Sequence, residues 1–143
     1  MSQTAVSPMS PAQIPARLAA RVIDYLLLSA IGWALGSQVG FGYNWLLATA
    51  ALVIAYFVAA DVAAGATVGK AVMGLQVLGA GGGRPSLKEA LLRESFVLLG
   101  AIPFVGPLLA LAAWVGMFLT IRSNPLCQGW HDRLAGGTQI VRR

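Results

Sequence analysis

The sequence has few charged residues, a single cysteine and a single histidine. Only 10% of its 143 residues are charged and 57% are hydrophobic, whereas a soluble domain carries about 25% charged residues. This composition excludes an ordinary soluble domain and predicts one small integral membrane domain. Because Cys127 is the only cysteine, an internal disulfide is excluded. The sequence has no cluster of Cys and His, so we expect neither a metal site nor a cofactor.

The charged residues that are present are mainly basic, with ten Lys and Arg against five Asp and Glu. The basic residues stand in three groups at the ends of apolar runs: Arg17 and Arg21; Lys70, Arg84, Lys88 and Arg93; and Arg122, Arg133, Arg142 and Arg143. This placement is typical of segments on the cytoplasmic side of a membrane that contact anionic lipids. We therefore expect no nucleic-acid partner and predict that both termini are cytoplasmic.

Three apolar stretches predict the membrane-crossing part of the chain. Two long runs, at about residues 18–36 and 45–64, each predict one spanning helix. The third stretch, residues 95–121, lacks charge but is interrupted by two prolines within residues 103–107, so it is either one kinked span or two short helices. Because the three basic groups must lie on one side, the chain has to leave and return, which favours the two short helices. The predicted fold is an all-α membrane protein, a four-helix bundle of two spans and a short helical hairpin.

The remaining segments predict a tail and a small sheet. Residues 1–15 carry no charged side chain and are rich in Ser, Pro and Ala, so we expect a disordered N-terminal tail before a membrane domain at residues 16–143. Ser86 and Glu89 have the spacing of a capping box, which predicts that a helix begins there. Residues 74–78 and 137–141 have the pattern of short strands that could pair on the cytoplasmic face.

Asp24 is the most informative single residue, because it lies inside the first apolar run. An ionised carboxylate that faces lipid costs about 2.5–3.5 kcal/mol on insertion scales. Arg17 and Arg21 precede Asp24 at spacings that place them roughly on the same helical face. We predict that one of these arginines pairs with Asp24. The pair is either structural or an ion and proton site. Asp61, near the end of the second run, is either a second buried charge or a residue that reaches the headgroups, and the second interpretation is favoured.

Five sequence motifs together resemble the RDD family of small bacterial membrane proteins, over residues 15–143. They are Arg17 with Asp24, Thr67-Val-Gly-Lys70, Gly74-Leu-Gln-Val77, Leu91-Leu-Arg93 and His131-Asp-Arg-Leu-Ala-Gly-Gly-Thr138. The family is named for one arginine and two aspartates. The resemblance implies that Arg17 and Asp24 are the first two and that Asp132 is the third, with Asp61 in reserve. Val68 stands where the family usually has proline, and an additional glycine precedes Thr138.

The resemblance implies a bacterial inner-membrane location and a possible transporter, since some members look like cation/proton antiporters. The main site candidates are Arg17, Asp24 and Asp132, and the secondary candidates are Arg21, Asp61, Lys70, Arg93 and His131. Four short helices are few to enclose a path, so we expect a homo-oligomer or partner membrane proteins. The alternative is a non-catalytic accessory or assembly subunit of a larger membrane complex, favoured by a stripe of small residues: Ala51, Ala55, Ala59 and Ala63. We do not expect an enzyme, because no nucleophile with a base and no paired catalytic carboxylates are recognisable.

Overall fold

The first two elements are long antiparallel helices that match the predicted spans. The structure, a computed structural model, describes residues 9–143. Helix α1 is Ile14–Val39 and helix α2 is Tyr43–Ala64. Gly40, at φ 82°, ends α1 and allows the short turn into α2. The Trp45 indole donates a hydrogen bond to the Gly32 carbonyl over 2.7 Å, which ties the two helices together beside this turn.

The two predicted strands form and pair as expected. Helix α3, Val68–Val72, leads into strand β1, Leu75–Leu78, which pairs antiparallel with the C-terminal strand β2, Gln139–Arg142. Val77 lies opposite Ile140, and both are buried. In β1, Leu75 and Val77 are buried and alternate with partly buried neighbours, whereas β2 buries the adjacent residues Ile140 and Val141.

The last residues of the predicted tail, residues 1–15, take part in the fold. Residues 1–8 lie outside the described part of the chain, whereas Pro11 already bridges to Val141 beside β2 and Ile14 begins α1. The Ala12 amide donates to the Ile140 carbonyl over 2.9 Å. The segment is held because its backbone extends the edge of the sheet and Ala12 is buried against it.

The segment after β1 forms a helical hairpin, but its first arm differs from the prediction. Helix α4, Leu87–Glu94, runs into a 3₁₀ helix, Ser95–Ala101, and after a turn α5, Gly106–Ser123, returns. The turn, residues 102–105, overlaps the predicted break at residues 103–107. The first arm is about 26 Å long at about 1.5 Å per α-helical and about 2.0 Å per 3₁₀ residue. Charged α4 forms its first half, so only the 3₁₀ half is apolar.

Three helices of the described chain are therefore long and apolar enough to cross a membrane, namely α1, α2 and α5. The prediction of four spanning helices is therefore corrected. The described chain has these three helices and a fourth arm in which α4 continues into the 3₁₀ helix. The bundle has many exposed large hydrophobic side chains, including Leu26, Trp33 and Leu108. Such an outer surface is expected where lipid replaces water as the solvent.

All connections except the two hairpin turns meet at one end of the bundle, which we call the charged end. It consists of the start of α1, α3, both strands, α4 and helix α6, Trp130–Leu134. The pairing of β1 with β2 and of Pro11 with Val141 requires that each helical hairpin begins and ends there. Two apolar clusters fill the bundle beyond this end: Leu28, Val53 and Phe57 between α1 and α2, and Phe96, Met117 and Ile121 beside α5.

Candidate functional site

Four of the chain's five acidic residues are buried together at the charged end. Their side chains are 0% exposed, and basic side chains that are themselves largely buried surround them. We call these eight residues the charge cluster: Asp24, Asp61, Glu94, Asp132, Arg17, Arg21, Lys70 and Arg93. The formal charges of the cluster balance, which is a requirement for burying so many ionised groups.

Asp24 is held by neutral donors and not by an arginine. Its carboxylate accepts hydrogen bonds from the Tyr56 hydroxyl at 2.8 Å, the Thr67 hydroxyl at 2.6 Å and the Gly69 amide at 2.8 Å. No basic side chain of residues 9–143 forms a salt bridge with it. The predicted pairing of Asp24 with an arginine on α1 is therefore wrong. The start of α3 docks on α1 at this point and supplies the donors in place of a guanidinium.

The Thr67-Val-Gly-Lys70 motif builds this docking surface. Thr67 caps α3 by accepting a hydrogen bond from the Lys70 amide, and its hydroxyl group donates a hydrogen bond to Asp24. Gly69 is required because a Cβ there would collide with the backbone carbonyl of Ala20 and lie 2.9 Å from the Asp24 carboxyl carbon. Val68 donates its amide proton to Tyr56 over 3.1 Å, a bond that proline could not form.

Five of the other predicted residues form a continuous chain of ion pairs. Lys70 contacts Asp61 at 2.6 Å, and Arg93 contacts the second oxygen of Asp61 at 3.4 Å. Arg93 also lies 3.1 Å from Asp132, which in turn lies 3.5 Å from Arg17. The interpretation of Asp61 as a headgroup contact is therefore wrong, because two basic partners from α3 and α4 hold it in the interior.

Arg21 pairs with a carboxylate that sequence analysis did not select. Its guanidinium contacts Glu94 at 2.9 Å and stacks over the Phe57 ring with 4.0 Å between the guanidinium carbon and the ring centroid. Glu94 immediately precedes the long uncharged stretch, and that position was the available signal. Tyr56 and Thr67, the side-chain donors to Asp24, were also missed.

Asp132 and His131 stand at the start of α6, outside the candidate spans. The Gly129 amide and the Thr138 hydroxyl both donate to Asp132. Burial alone would raise the pKa of Asp132. The nearby Arg93, His131 and Arg17 outweigh burial and lower the pKa below its ordinary value, so this carboxyl stays ionised. Burial lowers the pKa of His131 to about 4, although Asp132 opposes that shift, so the imidazole is neutral near pH 7.

A cavity of about 70 Å³ lies between α1 and α5 against the charge cluster. One wall is charged and consists of Arg17, Arg21, Lys70, Arg93 and Asp24. The facing wall is apolar and includes Leu18, Trp114, Met117, Phe118 and Ile121. Because a buried water needs about 10–15 Å³, the cavity has room for several waters or for one compact polar group.

Within residues 9–143, no three His, Cys, Asp or Glu side chains lie close enough to hold a metal ion. Cys127 is a free, partly buried thiol in the loop before α6. All eight residues predicted for the site lie at the charged end. Five of them, Lys70, Asp61, Arg93, Asp132 and Arg17, join by ion pairs. His131 contacts Asp132, Arg21 pairs with Glu94, and Asp24 is held by its neutral donors.

The comparison with known families agrees with the resemblance seen in the motifs. The model of the RDD family matches residues 11–136, which include the whole charge cluster. No curated protein and no solved structure matches the chain. The matched range begins at Pro11, where the described chain first joins the sheet. The chain belongs to the RDD family, whose members are membrane proteins.

Proposed function

We propose that this protein is a transporter that exchanges a small cation for protons across the membrane, with Asp24 as the exchanging carboxylate. The observation that carries the proposal is the contrast between Asp24 and the other buried acids. Asp61, Glu94 and Asp132 each have a basic partner, whereas Asp24 has none and lines the cavity. Ionisable groups at membrane depth are expensive and often mark ion pathways.

The groups around Asp24 suit a hard cation once their hydroxyls turn. The oxygen atoms of Tyr56 and Thr67 lie within 2.8 Å and 2.6 Å of the carboxylate. Carboxylate and hydroxyl oxygens are suitable ligands for such a cation. With a cation absent, the same hydroxyls donate hydrogen bonds to Asp24.

Lys70 is the nearest group that can release a proton close to neutral pH. Burial lowers the pKa of Lys70 to about 8, although Asp61 opposes that shift. The Lys70 backbone amide donates a hydrogen bond to the Thr67 hydroxyl, which donates to Asp24. Two hydrogen bonds therefore connect the backbone of Lys70 to the Asp24 carboxylate. Loss of the Lys70 proton would compensate the charge of an arriving cation.

The proposal includes an orientation and an assembly. The basic groups and the positive-inside rule favour a bacterial inner membrane with both termini cytoplasmic. Three spans are few to enclose a path, which favours an oligomer. Ala51, Ala55, Ala59 and Ala63 form a stripe along α2 that is exposed in the single chain. Such a stripe permits close helix approach between copies.

Flux measurements in liposomes test the proposal. Purified protein is reconstituted with a pH-sensitive dye inside, and sodium or potassium gradients are applied. The wild type should couple cation entry to proton exit, and Asp24→Asn should lose at least about tenfold of the rate because it cannot carry the negative charge. Elution profile and thermal unfolding establish that the variant is folded.

Glu89→Gln is the matched control, because Glu89 is the one acidic residue outside the charge cluster. Glutamine keeps the capping box of α4, so this variant loses one negative charge without losing the helix start. Its flux should equal that of the wild type. Equal flux in Asp24→Asn and wild type, or no flux above empty liposomes, would remove the exchanger from consideration.

The second candidate function is that of an accessory or assembly subunit in a larger membrane complex. The exposed alanine stripe on α2 favours it as much as it favours an oligomer. Mild solubilisation and mass measurement distinguish the two. A complex with other membrane proteins, together with no flux in liposomes, supports the subunit, whereas a homo-oligomer with flux supports the transporter.

A further inference from the structure

The cavity between α1 and α5 has an unequal distribution of charge. Four basic side chains of the charge cluster line it, but only one of the four carboxylates does. Asp61, Glu94 and Asp132 are not part of its lining. The cluster as a whole is neutral, but the surface presented to the cavity has an excess of positive charge. This surface is complementary to an anion.

Several nitrogen atoms on this wall lack a hydrogen-bond acceptor. They are one terminal nitrogen of Arg17, one of Arg21 and the Nε of Arg93, all buried. Arg93 and Arg17 contact Asp132 at 3.1 Å and 3.5 Å without hydrogen-bond geometry. Buried donors without partners are rare in folded proteins and indicate a missing acceptor. Guanidinium groups are the preferred donors to phosphate oxygens.

The mouth of the cavity opens toward the outer surface of the bundle. Leu18 on α1 and Phe118 on α5 are the lining residues with the most exposed side chains, at 45% and 40%. Both belong to candidate membrane spans, so their exposed sides face lipid. On the other side of the cavity, Tyr25 and Trp114 pack with 6.1 Å between ring centroids and join the two helices.

We propose that this cavity binds the phosphate headgroup of an anionic membrane lipid, which enters sideways between α1 and α5. The phosphate lies against the guanidinium groups of Arg17 and Arg21, and the acyl chains extend past Leu18 and Phe118 into the bilayer. The two walls explain why the ligand is an amphiphile: one is cationic and the other apolar. The lipid site goes beyond the proposed exchange and stands whether or not cations move.

Lipid binding to purified protein tests the site. Delipidated protein in neutral detergent is titrated with phosphatidylglycerol, with phosphatidylcholine or with inorganic phosphate, and retained lipid is counted by native mass spectrometry. We expect phosphatidylglycerol to bind at least about tenfold more tightly than phosphatidylcholine, since the basic side chains of the cavity repel the choline cation, whereas phosphatidylglycerol has a net negative charge. Inorganic phosphate should bind far more weakly, because it makes no contact with the apolar wall.

Two variants and one control locate the binding. Leu18→Phe adds bulk at the mouth, and Arg21→Lys keeps the charge beside Glu94 but removes the donor that has no partner. Each should weaken phosphatidylglycerol binding about tenfold. Leu26→Phe makes the same change on an exposed part of α1 outside the cavity and should leave binding unchanged.

The outcomes that overturn the proposal are distinct from failure of transport. Equal affinity for both lipids, or equal binding by all variants, would show that the lipid binds elsewhere. Binding of inorganic phosphate as tight as that of the lipid would assign the cavity to a free anion. These titrations use no ion gradient, so a protein that carries no flux still gives a full result.

Discussion

Asp61 is the residue on which the charge cluster depends most directly. It contacts both Lys70 and Arg93, so removing its charge leaves two buried cations short of a partner. Removing Lys70 instead leaves Asp61 with Arg93. Breaking a buried pair costs about 3–5 kcal/mol, while replacing both members costs less.

We therefore predict unequal effects of the two single changes. Asp61→Asn should lower the free energy of unfolding by about 3–5 kcal/mol, and Lys70→Met should lower it by less. The double change should recover part of the loss from Asp61→Asn. Thermal unfolding in mild detergent measures all three, with Lys88→Gln as the control that removes an exposed charge. Strictly additive losses would contradict the pairing.

The lowered pKa of His131 predicts how the free energy of unfolding depends on pH. This pKa is about 4 in the folded protein, below the ordinary value of 6.5, because burial opposes the charged imidazole. Arg93 and Arg21 also lower this pKa, whereas Asp132 and Glu94 raise it. The unfolded chain binds the proton more readily, so stability is full above pH 6.5 and is lost as pH falls toward 4. The total loss is roughly 3 kcal/mol.

The measurement is the unfolding temperature in detergent between pH 7.5 and 5. His131 is the only histidine, and Lys70, whose pKa is about 8, contributes only at the upper end of this window. The slope below pH 6.5 that depends on His131 therefore belongs to the imidazole. His131→Gln should flatten the curve. A slope that is the same in the wild type and in this variant would contradict the burial of a neutral histidine.

Spacing along the sequence predicted which residues gather in the site but not how they pair. Asp24 takes its donors from Tyr56, Thr67 and Gly69, which are separated from it by 32, 43 and 45 positions. Helical spacing indicates only partners on the same helix, and here the partners come from other elements. Burial of Asp61 likewise depends on Lys70 and Arg93 approaching from two other helices.

At the scale of elements, α4 is fixed at both of its ends. Ser86 accepts from the Glu89 amide at 3.3 Å, and Glu89 accepts from the Ser86 amide at 2.6 Å. Glu89 also accepts from the Ala80 amide at 2.9 Å, which joins the glycine-rich turn to the helix. These backbone bonds lower the pKa of Glu89. At the other end, Arg93 and Glu94 enter the charge cluster.

We predict that the cap supports the cluster. Ser86→Ala should cost about 1 kcal/mol in the free energy of unfolding because the Glu89 amide loses its acceptor. Ser86→Asp, which retains an oxygen at the cap, should cost only a few tenths as much. Chemical unfolding followed by helical circular dichroism measures both. Equal stability of the alanine and aspartate variants would show that the cap is unimportant.

Hydropathy and alternation predicted most elements because each is a local property. The spans α1 and α2, the turn at residues 102–105 and both strands follow from it. The 3₁₀ helix, Ser95–Ala101, does not, because apolar character is the same in a 3₁₀ and an α-helix. The ordered segment at Pro11 was also missed, since it is held by a strand from the other end of the chain.

At the scale of the whole molecule, the two ends of the bundle differ sharply in charge. The charged end carries the basic residues of every group, while the turns at residues 40–42 and 102–105 carry none. Phe104, at the tip of the second turn, is fully exposed, as is expected of an aromatic at a membrane interface. We expect this asymmetry to set the orientation in the bilayer.

We predict that the charged end faces the cytoplasm and that both hairpin turns face outward. Cys127 is first replaced by serine, and single cysteines are then introduced as Ser37→Cys near the end of α1, Phe104→Cys at the second turn and Gly81→Cys near the charged end. An impermeant maleimide should label positions 37 and 104 in intact cells and position 81 only after lysis, because basic segments are retained inside. Ser123→Cys, at the end of α5, is the matched test of return. If position 123 is labelled in intact cells and position 104 is protected, the hairpin is wrong and the segment is a single kinked span. The second half of the charge cluster would then lie on the opposite side of the membrane from the first.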